Sequence, residues 1–97
     1  MRYRLTRAAE ADLVGIYREG AKQFGVARAE AYFAALIASF ERLAANPHMA
    51  RLRMEIDPPV RIHACGSHVV IYREADAARI EILRVRHGHE DWDEAGR

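Results

Sequence analysis

The sequence predicts an α+β domain, with an N-terminal helical hairpin packed on one face of a mostly antiparallel sheet in the order β-α-α-β-β-β. Three observations lead there. Apolar residues recur at intervals of three and four through two segments separated by Gly25. Beyond Asn46 and Pro47 the apolar period falls to two. The alternating segments are divided by short turns at 66–67 and 74–78, as a meander requires. At 97 residues the chain is expected to be one domain, residues 1–97. A chain of that length buries roughly two thirds of its unfolded surface and folds without disulfide or metal staples.

Arg2 to Leu5 reads as a short first strand, with Tyr3 and Leu5 on one face. Thr6 is placed to cap the helix that follows, and Glu10 and Asp12 lie early in it, where the helix dipole favours acids. Ala9, Leu13, Ile16, Tyr17, Gly20 and Phe24 form its apolar stripe, and Gly25 ends it. The second helix carries a longer stripe through Ala29, Tyr32, Phe33, Leu36, Ile37, Phe40, Leu43 and Ala44. It ends at Asn46 and Pro47, because proline cannot continue a helix and restrains the residue before it. Helices joined by one or two residues must run antiparallel.

Residues 49–60 read as one long irregular connection carrying Arg51, Arg53, Glu55 and Asp57. "VRIHAC" then alternates Val60, Ile62 and Ala64 against Arg61, His63 and Cys65. "HVVIYR" reads as a largely buried strand and "RIEILRVR" as the last one. Strict alternation on the last strand puts Ile80, Ile82, Arg84 and Arg86 on one face, with Glu81, Leu83, Val85 and His87 on the other. Neither face is apolar throughout. The pattern changes face near Ile82 and Leu83, which implies either a central strand buried on both sides or a bulge.

The net charge of +1 divides unevenly. Residues 1–48 and 49–89 each carry seven basic and five acidic side chains, while the tail holds Glu90, Asp91, Asp93 and Glu94 against Arg97. So weakly basic a body does not support strong non-specific nucleic-acid binding. Cys65 is the single cysteine, which excludes an internal disulfide and a cysteine-rich metal site. No signal-peptide pattern opens the sequence and no apolar run nears the roughly 18 residues that span a membrane, so the expected location is the cytoplasm.

Hydroxyl nucleophiles are scarce: Thr6 reads as a cap, Ser39 as a helix residue and Ser67 as a turn residue. His48, His63, His68, His87 and His89 invite a metal reading, but their spacing gives no three or four converging ligands. No metal or cofactor is therefore expected. Metal-free RNA cleavage needs a base, an acid and cations for the phosphorane, roles open to Glu55, Arg61, Arg84 and His87 if the sheet gathers them. The competing reading of the same residues is a solvated rim of weak ion pairs.

Four sequence words in order then carry a resemblance across nearly the whole chain. They are "YRLTRAAEADLVGIYREGAKQFG", "ARAEAYFAALIASFERLAANPHMAR", "VRIHACGSHVVIYR" and "IEILRVRHGHED". The chain resembles the ParE branch of the RelE/ParE superfamily of bacterial toxin–antitoxin toxins. The resemblance implies a RelE/ParE-like fold and a toxin that inhibits DNA gyrase by binding rather than catalysis. It also implies neutralisation by a cognate antitoxin with a ribbon-helix-helix DNA-binding domain, which alone meets operator DNA. The alternative it carries is a metal-independent messenger-RNA endoribonuclease of RelE type, with Glu55, Arg61, Arg84 and His87 as catalytic residues. Gly88 after His87, no tyrosine beyond Tyr72 and a single lysine favour the gyrase branch. On that branch Arg61, Arg84, Arg86 and His87 are expected to bind the target. Arg86 stands where the family commonly has leucine.

Overall fold

The computed structural model describes residues 2–88. Strand β1 (Arg2–Leu5) leads into helices α1 (Arg7–Phe24) and α2 (Val26–Ala45). A 3-10 turn (Pro47–Met49) and a two-residue strand β2 (Leu52–Arg53) follow. The chain then runs through β3 (Val60–Cys65), β4 (His68–Asp76) and β5 (Arg79–His87). The five strands form one sheet in the order β1-β5-β4-β3-β2. Among the described residues only the β1–β5 pair is parallel.

The helix boundaries follow from their caps. Thr6 Oγ1 accepts a hydrogen bond from the Ala9 amide at 3.0 Å, satisfying one of the free donors of the first turn of α1. Gly25 sits at φ 91°, a conformation that L side chains rarely adopt, and reverses the chain alone between the two helices. The stripes pack as expected near the sheet: Ala9, Leu13, Leu36, Phe40, Leu43 and Ala44 are buried. Phe24 and Phe33 are exceptions, 59% and 36% exposed, Phe24 lying in the last turn of α1 just before Gly25 reverses the chain. Tyr72 is fully buried in the sheet and donates its hydroxyl proton to Pro47 O at 2.7 Å, so its polar tip costs little.

The segment read as wholly irregular contributes β2, whose two residues pair antiparallel with Val60 and Arg61. No alternation is legible in two residues, so only the pairing reveals it. Likewise β4 continues to Asp76, shortening the expected five-residue turn to residues 77–78.

The last strand carries a bulge. Ile71 lies opposite Arg84 but Tyr72 lies opposite Ile82, leaving Leu83 as an extra residue. The bulge restores a single apolar face. Before it, Ile80 and Ile82 face the helices; after it, Val85 takes over, and all three are buried. The opposite face then carries Glu81, Arg84 and Arg86. Glu81 is held there between cross-strand arginines, 2.7 Å from Arg4 and 2.9 Å from Arg73.

Ser39 is fully buried on α2, yet its Oγ makes no hydrogen bond among the described residues. Leaving a buried hydroxyl unmatched costs about 1–3 kcal/mol, and alanine is also the better helix former. Ser39→Ala is expected to raise stability by about 1 kcal/mol, read as a Tm about 4–8 °C higher in a thermal melt.

Candidate target-binding edge

The end of β5 is where three of the sequence candidates lie, and two separate anchors fix it. The first comes from α1. Strand β1 pairs with β5 only as far as Leu5 opposite Ile82, so the backbone of β5 beyond that point has lost its strand neighbour on this side. Thr6 takes over, its amide donating to Ile82 O at 3.1 Å and its hydroxyl to Leu83 O at 2.7 Å. Asp12, about one and a half turns into α1, supplies the next partner. Its Oδ2 accepts from the Val85 amide at 2.9 Å, and its two oxygens grip Arg84 from Nε (2.8 Å) and Nη2 (2.9 Å). An acid read from the sequence only as a dipole partner is therefore a backbone acceptor for the sheet.

The second anchor comes from α2. Gly66 turns β3 into β4 at φ 60°, and a Cβ there would stand 2.7 Å from Tyr32 Cε1 and Oη. The turn thus lies directly on the Tyr32 ring. Tyr32 Oη accepts from the Ser67 amide at 3.0 Å and lies 2.6 Å from His68 Nδ1. The Gly88 amide donates to Ser67 O at 2.7 Å, so the same turn holds the exit from β5. His68 pairs with His87 across the strands, their ring centroids 5.3 Å apart. An open groove of about 1020 Å³ runs beside both anchors, lined by small residues such as Gly15, Gly20 and Ala35 and by Tyr32, Arg86 and His87.

The remaining candidates lie elsewhere. Arg61 pairs with Tyr72, which in turn pairs with Ile82, whereas His87 shares a row with His68 and Cys65. Four residues along the strands and two strand spacings put the Cα atoms of Arg61 and His87 roughly 16 Å apart. The Arg61 side chain, 13% exposed, donates to Ala50 O at 2.8 Å and Glu74 Oε1 at 3.2 Å, tying the 47–59 segment to the sheet. Glu55 lies exposed in that segment beside Arg51 (3.3 Å) and Arg53 (3.5 Å). A bond to its own backbone amide, reinforced by Arg51, lowers the pKa of the Glu55 carboxyl, which makes it a weaker base. Hence Arg84, Arg86 and His87 are brought together, and Arg61 and Glu55 are not with them. His89 and the acidic residues after it, including the second histidine of the "HGHED" metal reading, lie outside the described residues. Among the described residues no three His, Cys, Asp or Glu side chains gather as metal ligands do.

Two carboxylates in this framework link its stability to pH. Burial opposes ionisation of Asp12, but the bonds from Arg84 and Val85 outweigh it and lower its pKa. Glu81 is lowered by its bond to Arg4 and then by that to Arg73. A depressed folded-state pKa contributes stability above the unfolded value, about 4, that is lost as pH falls through the folded value. The Tm is therefore expected to hold above about pH 5 and to fall as the pH drops below about 4. Glu81→Gln should lower the neutral-pH Tm and flatten that acid limb, a change that melts at a series of pH values would read.

Comparison with known proteins agrees on one family. A family model described as the ParE toxin of the type II toxin–antitoxin system parDE matches residues 3–92. The chain is 38% identical over 92 residues to Toxin ParE1 of Mycobacterium tuberculosis, covering 95% of this chain and 94% of that one. It is 40% identical over 85 residues to Toxin ParE1 of Caulobacter vibrioides, covering 88% and 86%. Among solved structures, a chromosomal ParDE toxin–antitoxin system from P. aeruginosa superposes with a TM-score of 0.76 at 24% identity, over 90% of this chain and 95% of that one. That likeness bears on the fold alone.

Proposed function

Since the chain belongs to the family of ParE toxins of type II toxin–antitoxin systems, we propose that it acts by binding and inhibiting DNA gyrase, with no catalytic step of its own. Membership also implies an antitoxin partner. In this reading the antitoxin carries a ribbon-helix-helix domain, and the toxin meets operator DNA only through it. The toxin works in the cytoplasm, and no helix among the described residues is long and apolar enough to cross a membrane.

The observation that carries this reading is the dispersal of the four groups a ribonuclease would need. General acid–base catalysis requires its groups within hydrogen-bond reach of one reacting centre. Arg61 is roughly 16 Å from His87 and bonded inward, and Glu55 is a weakened base on an exposed loop. A binding surface needs no such convergence. Arg86 supplies charge at the end of β5 beside His87, with Arg84 next to them. Arg61, also expected to bind the target, is bonded to Ala50 O and Glu74 and braces the 47–59 segment.

Controlled expression without antitoxin tests the proposal. DNA breaks should accumulate while total RNA stays intact. Degraded messenger RNA with undamaged DNA would reject it.

A further inference from the structure

Arg84, Arg86 and His87 all lie at the end of β5, but they do not stand in equivalent places. Arg84 is the cross-strand partner of Ile71, Arg86 of Val69 and His87 of His68. Arg84 lies immediately after the bulged Leu83, at the point where β1 no longer accompanies β5. Asp12 reaches that point from α1 with a side chain only 14% exposed. One of its oxygens serves a backbone amide and the guanidinium together; the other serves the guanidinium.

We infer that Asp12 is a positioning residue for the toxin's target-binding edge: through the Val85 amide it sets the course of β5 beyond the bulge and so aims Arg86 and His87, with Arg84 as its brace. The inference rests on the proposed role of that edge in binding the target. A bulge bends a strand and increases its local twist; beyond it β4 still pairs with β5 on one side, and Asp12 supplies a partner on the side that β1 leaves. Thr6 fixes the bulge itself, and the Ser67 carbonyl fixes the exit at Gly88. Between those two points, Asp12 supplies the side-chain hydrogen bond to the β5 backbone. A charged acceptor for a backbone N–H gives a shorter and stronger bond than a neutral one, which suits a single contact that replaces a strand.

This arrangement gives Arg84 a different part from the one its charge suggests. Two of its donors are engaged with Asp12, so its loss should leave the Val85 bond and the aim of β5 in place. Loss of the Asp12 carboxylate removes both.

The test compares Asp12→Ala, Asp12→Asn and Arg84→Ala in the full chain by growth arrest on expression and by the backbone amide chemical shifts of residues 85–88. Asp12→Ala should weaken toxicity about tenfold or more, the equivalent of about 1.4 kcal/mol of binding. Asp12→Asn, which keeps a neutral acceptor, should fall between it and Arg84→Ala, which removes charge from the edge but leaves the Val85 bond and should weaken toxicity least of the three. The amide shifts should move in the same order. If Asp12→Ala does not fold, the order of the other two variants decides. Toxicity lost in Arg84→Ala as fully as in the Asp12 variants, with unmoved amide shifts, would overturn the inference and make Arg84 a direct contact. Growth arrest reads toxicity whatever the target. A wild-type chain that arrests growth without touching gyrase would therefore defeat the proposed target while leaving the order of the variants to decide the role of Asp12.

Discussion

Phe40→Ala is expected to lower the stability of this chain by about 3–5 kcal/mol, the range for removing a large aromatic ring from a packed core. Phe40 is fully buried on α2, and its ring meets Tyr3 of β1 edge-to-face with centroids 5.5 Å apart. It joins the helical hairpin to the edge strand whose end launches Thr6 and α1. A domain of this length is held by about 5–15 kcal/mol in total, so the loss removes a large share of it. Chemical denaturation followed by circular dichroism should show the midpoint falling while the slope stays constant, since the surface exposed on unfolding is nearly unchanged. A loss under about 1 kcal/mol would mean that the hairpin collapses to refill the site, and that the helix–sheet contact is looser than the packing implies.

The largest functional effect is expected from Arg86→Glu combined with His87→Ala. Both residues lie in the last three positions of β5, one half-buried and one exposed. Removing a central charged contact from an interface commonly costs about 2–4 kcal/mol, or a factor of roughly 30 to 1000 in affinity, and charge reversal adds repulsion. The double variant should therefore lose toxicity while its Tm shifts little, because substitutions at the surface seldom change stability by more than about 0.5 kcal/mol. Full toxicity in a folded double variant would move the target surface away from this edge.

Much of the fold was legible because its signals are local. Thr6 as a cap, Gly25 as the reversal, Pro47 as the stop and the Gly66–Ser67 turn each declare themselves within a few residues. The face change near Leu83 was also visible, and the sheet register resolves its two readings as a bulge. What escaped depends on pairs distant in sequence. Asp12 meets Val85 across 73 positions and Tyr32 meets His68 across 36, and no local period encodes either contact. Tyr32 was read correctly as part of a helical stripe, but the same spacing is silent about which strand turn its hydroxyl reaches. Residue type and the resemblance group Arg61 and Glu55 with His87; the register sets Arg61 apart, and Glu55 lies in the 47–59 segment beside Arg51 and Arg53. An acid seven residues past a strand end, with an arginine just beyond an apparent face change in the last strand, is the available hint of the Asp12–Arg84 pair.

The central claim is that this chain harms its target by binding rather than cleaving. The most direct measurement incubates the purified protein with DNA gyrase, relaxed plasmid, ATP and a messenger RNA in one reaction. Supercoiling and cleaved plasmid are read beside RNA length. Binding inhibition predicts lost supercoiling and accumulating cleaved plasmid, both weakened in the Arg86→Glu, His87→Ala variant, with RNA full-length throughout. Undiminished supercoiling alongside shortened RNA would contradict it.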